Sequence, residues 1–203
     1  MRYYYNNATF LTSATNFMCN HVPKNGIEIG FVGYSNSGKS TAINALTNKS
    51  KLSRFSKNPG RTNMINFFTI YNNLRFVDFP GYGYSLYEKN INKKYNLILH
   101  YLEYRTCLKG IILFVDIRRL LRYMDKKILQ LVQYKSVKCV ILLTKCDKLS
   151  KLQQNRQLNI LRKELTIYFK DINIILFSSL QKIGISLVLH VIHSWYFFFQ
   201  NDG

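Results

Sequence analysis

An apolar run at 27–32 is followed by Gly33-Tyr34-Ser35-Asn36-Ser37-Gly38-Lys39-Ser40, and then by a segment of helical spacing at 39–46. This is G-x-x-x-x-G-K-S with a strand before it and a helix after it, the context in which such a loop cradles phosphate. Glycines let the backbone curl until its N–H groups converge on phosphate oxygens, and the helix N-terminus adds its positive dipole end. Lys39 can reach β and γ phosphates, and the Ser40 hydroxyl can ligand Mg²⁺. Only four positions of the motif are fixed, so an ordinary glycine-rich turn is the alternative. The flanking strand and helix oppose it.

The rest of the chain repeats that alternation. Short, near-continuous apolar runs at 27–32, 74–77, 110–115, 137–143 and 172–177 read as strands covered on both faces, with 66–71 a sixth. Helical spacing fills 39–46, 92–108, 126–134, 152–169 and 184–199. The expected fold is an α/β three-layer sandwich around a mainly parallel six-stranded sheet. No repeat or linker divides it, so residues 1–203 form one domain, with a short N-terminal extension over about 1–26.

A phosphate loop specifies a triphosphate but no base. Asp78-Phe79-Pro80-Gly81 closes the strand at 74–77; an aspartate there can hold Mg²⁺ through a water, and the Gly81 N–H can sense a γ-phosphate. Thr144-Lys145-Cys146-Asp147 closes the strand at 137–143. A carboxylate in that place accepts two hydrogen bonds from guanine N1 and N2, which adenine lacks, so Asp147 selects guanine. The stem of Lys145 would cover the base. Phe177-Ser178-Ser179 ends the next strand, where backbone N–H groups can meet guanine O6. Each piece alone is a weak signal. In this order, each at the C-terminal end of its own strand, they mark where open α/β sheets bind ligands.

Lys and Arg number 29 against 10 Asp and Glu, a formal charge of +19, which favours polyanions such as RNA. The abundance of Lys, Asn, Ile, Tyr and Phe also fits A/T-rich coding, which inflates the charge without a partner. Lys49, Lys51, Arg54, Lys57 and Arg61 form one acid-free basic cluster; Arg118, Arg119, Arg122, Lys126 and Lys127 form a second. Both point to RNA or to merely solvated faces. Cys19, Cys107, Cys139 and Cys146 lack metal-ligand spacing, and reduced thiols are expected. With no apolar run long enough to cross a bilayer and no apolar start, a cytoplasmic protein without stable membrane association is expected.

On these motifs the sequence resembles the EngB family of bacterial GTPases, Era/Obg-like members of the P-loop, Ras-like fold. The resemblance runs through Phe10-Leu-Thr-Ser-Ala, the loop 33–40, Asn58-Pro-Gly-Arg-Thr-Asn-Met-Ile-Asn-Phe-Phe, Val77-Asp-Phe-Pro-Gly-Tyr-Gly-Tyr, Val115-Asp-Ile-Arg and Leu143-Thr-Lys-Cys-Asp-Lys-Leu. It implies that Thr62 completes the Mg²⁺ shell beside Ser40. It also makes Gly60-Arg61-Thr62-Asn63-Met64 and Asp78 to Gly81 the nucleotide-sensing switches, with Lys39 and Thr62 serving catalysis. The implied activity is GTP hydrolysis to GDP and phosphate by a molecular switch in large ribosomal subunit assembly, in a family also associated with cell division and septation. A monomer is expected. The chain departs from the family at Tyr34, where Gly-Arg-Ser is usual, at Cys146, where alanine is common, and in the basic stretch 120–125.

Ras-like enzymes place a water-orienting glutamine after the D-x-x-G glycine. Here that position is Tyr82, so intrinsic hydrolysis is expected to be slow and to await a partner or cation. Asn36 matches the asparagine that helps hold K⁺ in related GTPases; an asparagine capping its own loop is the alternative. The competing function is a basic RNA-binding assembly factor with little or no nucleotide turnover.

Overall fold

In the computed structural model, which describes residues 5–16, 21–53, 64–83, 88–166 and 172–201, one sheet runs through the molecule. Its strands are β1 (Thr9–Ala14), β2 (Ile27–Gly33), β3 (Ile65–Tyr71), β4 (Leu74–Asp78), β5 (Leu108–Asp116), β6 (Lys138–Thr144) and β7 (Asn173–Phe177), in spatial order β1-β3-β4-β2-β5-β6-β7. The pairs from β4 to β7 are parallel, whereas β1 with β3 and β3 with β4 are antiparallel. Among the described residues the α-helices are α1 (Lys39–Thr47), α2 (Glu88–Tyr104), α3 (Tyr123–Tyr134), α4 (Lys151–Leu165) and α5 (Ile185–Asn201), with a 3-10 turn at Cys146–Lys148.

The central strands are mostly apolar because helices cover both faces, with Glu28, Arg75 and Asp78 the charged exceptions in β2 and β4. Every residue of β2 and β4 is buried. One face of the sheet packs against Ile98 and Tyr101 of α2, Ile128 and Leu129 of α3, and Leu161 of α4. The other packs against Ile43 and Leu46 of α1 and Val188, Leu189 and Ile192 of α5. Trp195 lies so close to the sheet that a Cβ on Gly110 would come within 2.4 Å of its ring.

The sheet has seven strands, not six. The additional one, β1, falls within the stretch read as an N-terminal extension, and Tyr5 and Ala8 are buried ahead of it. Its sequence, Thr-Phe-Leu-Thr-Ser-Ala, is half polar because it is an edge strand with its first three residues exposed, and a register shift between Phe10 and Thr12 further breaks the alternation. Helix α3 starts at Tyr123, three residues before the expected 126, because the Asp125 carboxylate accepts the Arg122 backbone N–H at 3.0 Å and caps the turn.

At the foot of the sheet Glu28, fully buried, accepts hydrogen bonds from Arg75 Nε (3.2 Å), Arg105 Nη2 (2.7 Å) and Tyr101 Oη (2.6 Å). The two guanidiniums also donate to the Pro23 carbonyl. This network fastens β2, β4, α2 and the chain entering β2 at the end of the sheet remote from the phosphate loop.

Candidate nucleotide-binding site

The C-terminal ends of β2, β4, β5, β6 and β7 lie side by side, with Phe31 opposite Asp78, Gly33 opposite Phe114, and Thr144 between Asp116 and Phe177. The loop leaving β2 turns with Asn36 (φ 63°) and Gly38 (φ 97°) in the left-handed region, where glycine and asparagine are the least strained residues. Thr144 Oγ1 donates to the Ser37 carbonyl at 2.7 Å, tying the loop to β6.

Lys145, itself left-handed (φ 59°), crosses back over the loop. Its ammonium donates to the Asn36 carbonyl at 2.6 Å and lies 3.0 Å from Asp116 Oδ2. Arg118 grips the same carboxylate with Nε at 2.9 Å and Nη2 at 2.7 Å. Burial works to raise the Asp116 pKa, but the bonds from Arg118 and Lys145 outweigh it and hold the carboxyl far below the usual range.

Beyond Lys145, Asp147 Oδ1 accepts the Ser178 hydroxyl at 2.6 Å, and that bond keeps the carboxyl ionised below its ordinary pKa. The carboxylate opens onto a cavity of about 180 Å³ lined by Gly38, Thr41, Thr144, Lys145, Phe177 and Ser178. A planar ring entering there meets the Lys145 stem and a fixed acceptor, the arrangement that favours a base with adjacent N–H donors.

On the phosphate side Lys39 and Asp78 are both buried. Burial lowers the Lys39 pKa, with Asp78 opposing it, and pushes Asp78 up to about 6 against the attraction of Lys39. Asp78 Oδ1 and Ser37 Oγ are buried with no hydrogen-bond partner among the described residues. An unpaired acceptor of that kind costs on the order of 1–3 kcal/mol, which a hydrated cation can offset at Asp78. Among the described residues no three His, Cys, Asp or Glu side chains converge, so a cation would share Ser40 and Asp78 with ligand oxygens rather than occupy a protein cage.

Gly81 abuts the loop: a Cβ there would lie 3.0 Å from both Lys39 Nζ and Ser35 N. Its carbonyl accepts from Ser35 Oγ (3.1 Å) and from Lys94 Nζ on α2 (3.0 Å). The next residue, Tyr82, accepts the Ser35 N–H at 2.8 Å through its carbonyl, and its ring meets the Tyr34 ring at 4.7 Å and 71°. Arg122 stacks on the other partner of this pair, its guanidinium carbon 3.1 Å from the Tyr34 centroid.

Residues 28–145 match the family model described as 50S ribosome-binding GTPase. The probable GTP-binding protein EngB of Buchnera aphidicola subsp. Acyrthosiphon pisum (strain Tuc7) is 45% identical over 193 residues, 95% of this chain and 94% of the relative. That of Haemophilus ducreyi (strain 35000HP / ATCC 700724) is 39% identical over 202 residues, 98% of this chain and 95% of the relative. The chain belongs to the EngB family of GTP-binding proteins. A crystal structure of a probable GTP-binding protein engB superposes with a TM-score of 0.71 at 23% identity, over 83% of this chain and 98% of that one. A point variant of Aquifex aeolicus Era bound to GDP·AlF₄⁻ gives 0.60 at 18% identity, over 83% of this chain and 56% of that one, a likeness of fold.

Within this EngB-family site the fold brings together residues 33–40, Asp78 to Gly81, Thr144 to Asp147 and Phe177 to Ser179. Gly60, Arg61, Thr62 and Asn63 lie outside the described residues; Met64 sits half-buried just before β3. Two members of the expected set turn away. Phe79 packs edge-on against Tyr101 at 5.0 Å, and the Cys146 side chain is fully buried in the core, so both can offer a ligand only backbone. Sequence reasoning gave no role at the nucleotide site to Asp116, Arg118 or Lys94. Asp116 was detectable, since it ends a strand as Asp78 does; Lys94 was one of several lysines on α2 with nothing to single it out.

Proposed function

We propose that this chain is a slow GTP-hydrolysing switch that binds guanine nucleotide with Mg²⁺ and acts in large ribosomal subunit assembly. The observation that carries the guanine reading is the Ser178–Asp147 bond, which presents an ionised carboxylate beside the Lys145 stem in a cavity next to the phosphate loop. The ribosomal part is supported by the family description and by the +19 charge.

In this reading the backbone of residues 34–39 and Lys39 would hold the phosphates, while Ser40, Thr62 and Asp78 would hold Mg²⁺. The ion, when bound, neutralises charge on the β and γ phosphates. Gly81 reports the γ-phosphate through its N–H. Tyr82 is fully buried, with its hydroxyl committed to Asp125, so no side chain at that position orients the attacking water. Slow turnover follows, accelerated by a partner or by K⁺ held near Asn36. The same fact favours the second reading, a basic RNA-binding assembly factor with little turnover.

Titration of the purified protein with fluorescent GDP, GTP, ADP and ATP in Mg²⁺ tests the site. Guanine preference that shifts to xanthine in Asp147→Asn is expected; equal binding of adenine and guanine nucleotides would overturn it.

A further inference from the structure

Helix α3 carries Tyr123, Lys127, Gln130 and Tyr134 at spacings of four, three and four, which places them on one stripe about 16 Å long. The two tyrosines are 68% and 81% exposed, so they add little to the core. Each ring has an ammonium over it: Lys127 Nζ lies 4.7 Å from the Tyr123 centroid and Lys135 Nζ 5.4 Å from that of Tyr134. Lys127 also stands 5.5 Å from the Tyr95 ring of α2. The one acid within α3, Asp125, is buried, and among the described residues no carboxylate pairs with Arg119, Lys127 or Lys135. By contrast Arg118 is committed to Asp116 and Lys126 to Glu164. The stripe begins one residue after Arg122, which stacks on Tyr34 of the phosphate loop.

We propose that this stripe is a docking surface for single-stranded RNA, with unstacked bases on Tyr123 and Tyr134 and phosphates at Lys127 and Lys135. The inference rests on the RNA partner named above and specifies where and in what form it binds. Exposed aromatic faces interleaved with cations suit single strands, because every base has a face to stack while duplex bases are already stacked on one another. An acidic protein would use the cations and leave the rings idle.

The test is binding of a fluorescein-labelled 12-nucleotide single-stranded RNA to the full chain loaded with GDP, at several salt concentrations. Changing both Tyr123→Ala and Tyr134→Ala should weaken binding at least tenfold with the salt slope unchanged, and the double Tyr→Phe change should restore it. Changing both Lys127→Gln and Lys135→Gln should reduce the slope by about 1.4, roughly 0.7 per lost phosphate contact. GDP affinity should stay constant throughout, which shows that the variants fold. Full RNA affinity in the double alanine variant, equal binding of a duplex, or equally effective competition by polyglutamate would overturn the proposal. Failure of the unaltered protein to bind any RNA, with GDP still bound, would instead remove the RNA partner itself.

Discussion

Tyr82 Oη donates a 2.8 Å hydrogen bond to Asp125 Oδ1, in a place that solvent does not reach. Tyr82 adjoins Gly81 at the phosphate loop, and the other oxygen of Asp125 caps α3. Any displacement of Gly81, such as the proposed response to a γ-phosphate, would therefore pull on a bond that ends at the start of α3.

Tyr82→Phe keeps the ring and removes the donor, leaving a buried carboxylate oxygen unpaired. The expected loss is about 1–3 kcal/mol of stability, read from urea unfolding with the m-value unchanged.

Asp125 also carries a pH signature. Burial pushes its carboxyl up to about 6, against the bonds from Arg122 N–H and Tyr82 and the charge of Arg122. The folded state thus holds this proton more tightly than the unfolded state does, so its contribution is most favourable below about pH 4, falls between 4 and 6, and is level above. Asp125→Asn lacks that titration. The stability of the native chain relative to the variant should drop by about 3 kcal/mol across this window; a difference independent of pH would contradict the assignment.

Glu28→Ala should be far more damaging than its distance from the nucleotide site implies. It strands Arg75 and Arg105, two buried guanidiniums, at a cost of about 3–5 kcal/mol. Thermal unfolding checks this, with a fall on the order of 10 °C expected in a chain of this size.

Gly81→Ala should discriminate between nucleotides. A methyl 3.0 Å from Lys39 Nζ and from the Ser35 backbone forces the loop or the switch to shift. GTP affinity should fall several-fold more than GDP affinity in a competition titration, because in the proposed reading the Gly81 N–H meets the γ-phosphate, which GDP lacks.

Turnover in K⁺ should exceed that in Na⁺ several-fold, and Asn36→Ala should remove the difference. Equal rates in the two salts would assign Asn36 to shaping its own loop, where it already adopts φ 63°.

Much of the site is legible in the sequence alone. The phosphate loop, Asp78, Asp147 and Ser178 can be read because each follows an apolar run, and a parallel sheet gathers strand ends in one place. Edge strand β1 is hidden because half its residues face water. The Tyr82–Asp125 bond is hidden for another reason: its partners are 43 residues apart, and nothing in either neighbourhood names the other. Charge alone groups Arg118 with Arg119, whereas geometry separates them: among the described residues Arg118 is bound to Asp116 and Arg119 pairs with no carboxylate.

Lys145 holds the Asn36 carbonyl and Asp116 with one ammonium, so the base pocket and the phosphate cradle are built as one body. The two ends of a nucleotide then behave as a bivalent ligand on a rigid frame. Once the base is seated, the diphosphate finds its cradle at high effective concentration, and the affinity for GDP exceeds what guanosine and pyrophosphate would achieve as separate molecules. In the proposed reading, exchange would then be a single concerted release, since levering Lys145 off the loop would loosen both ends together.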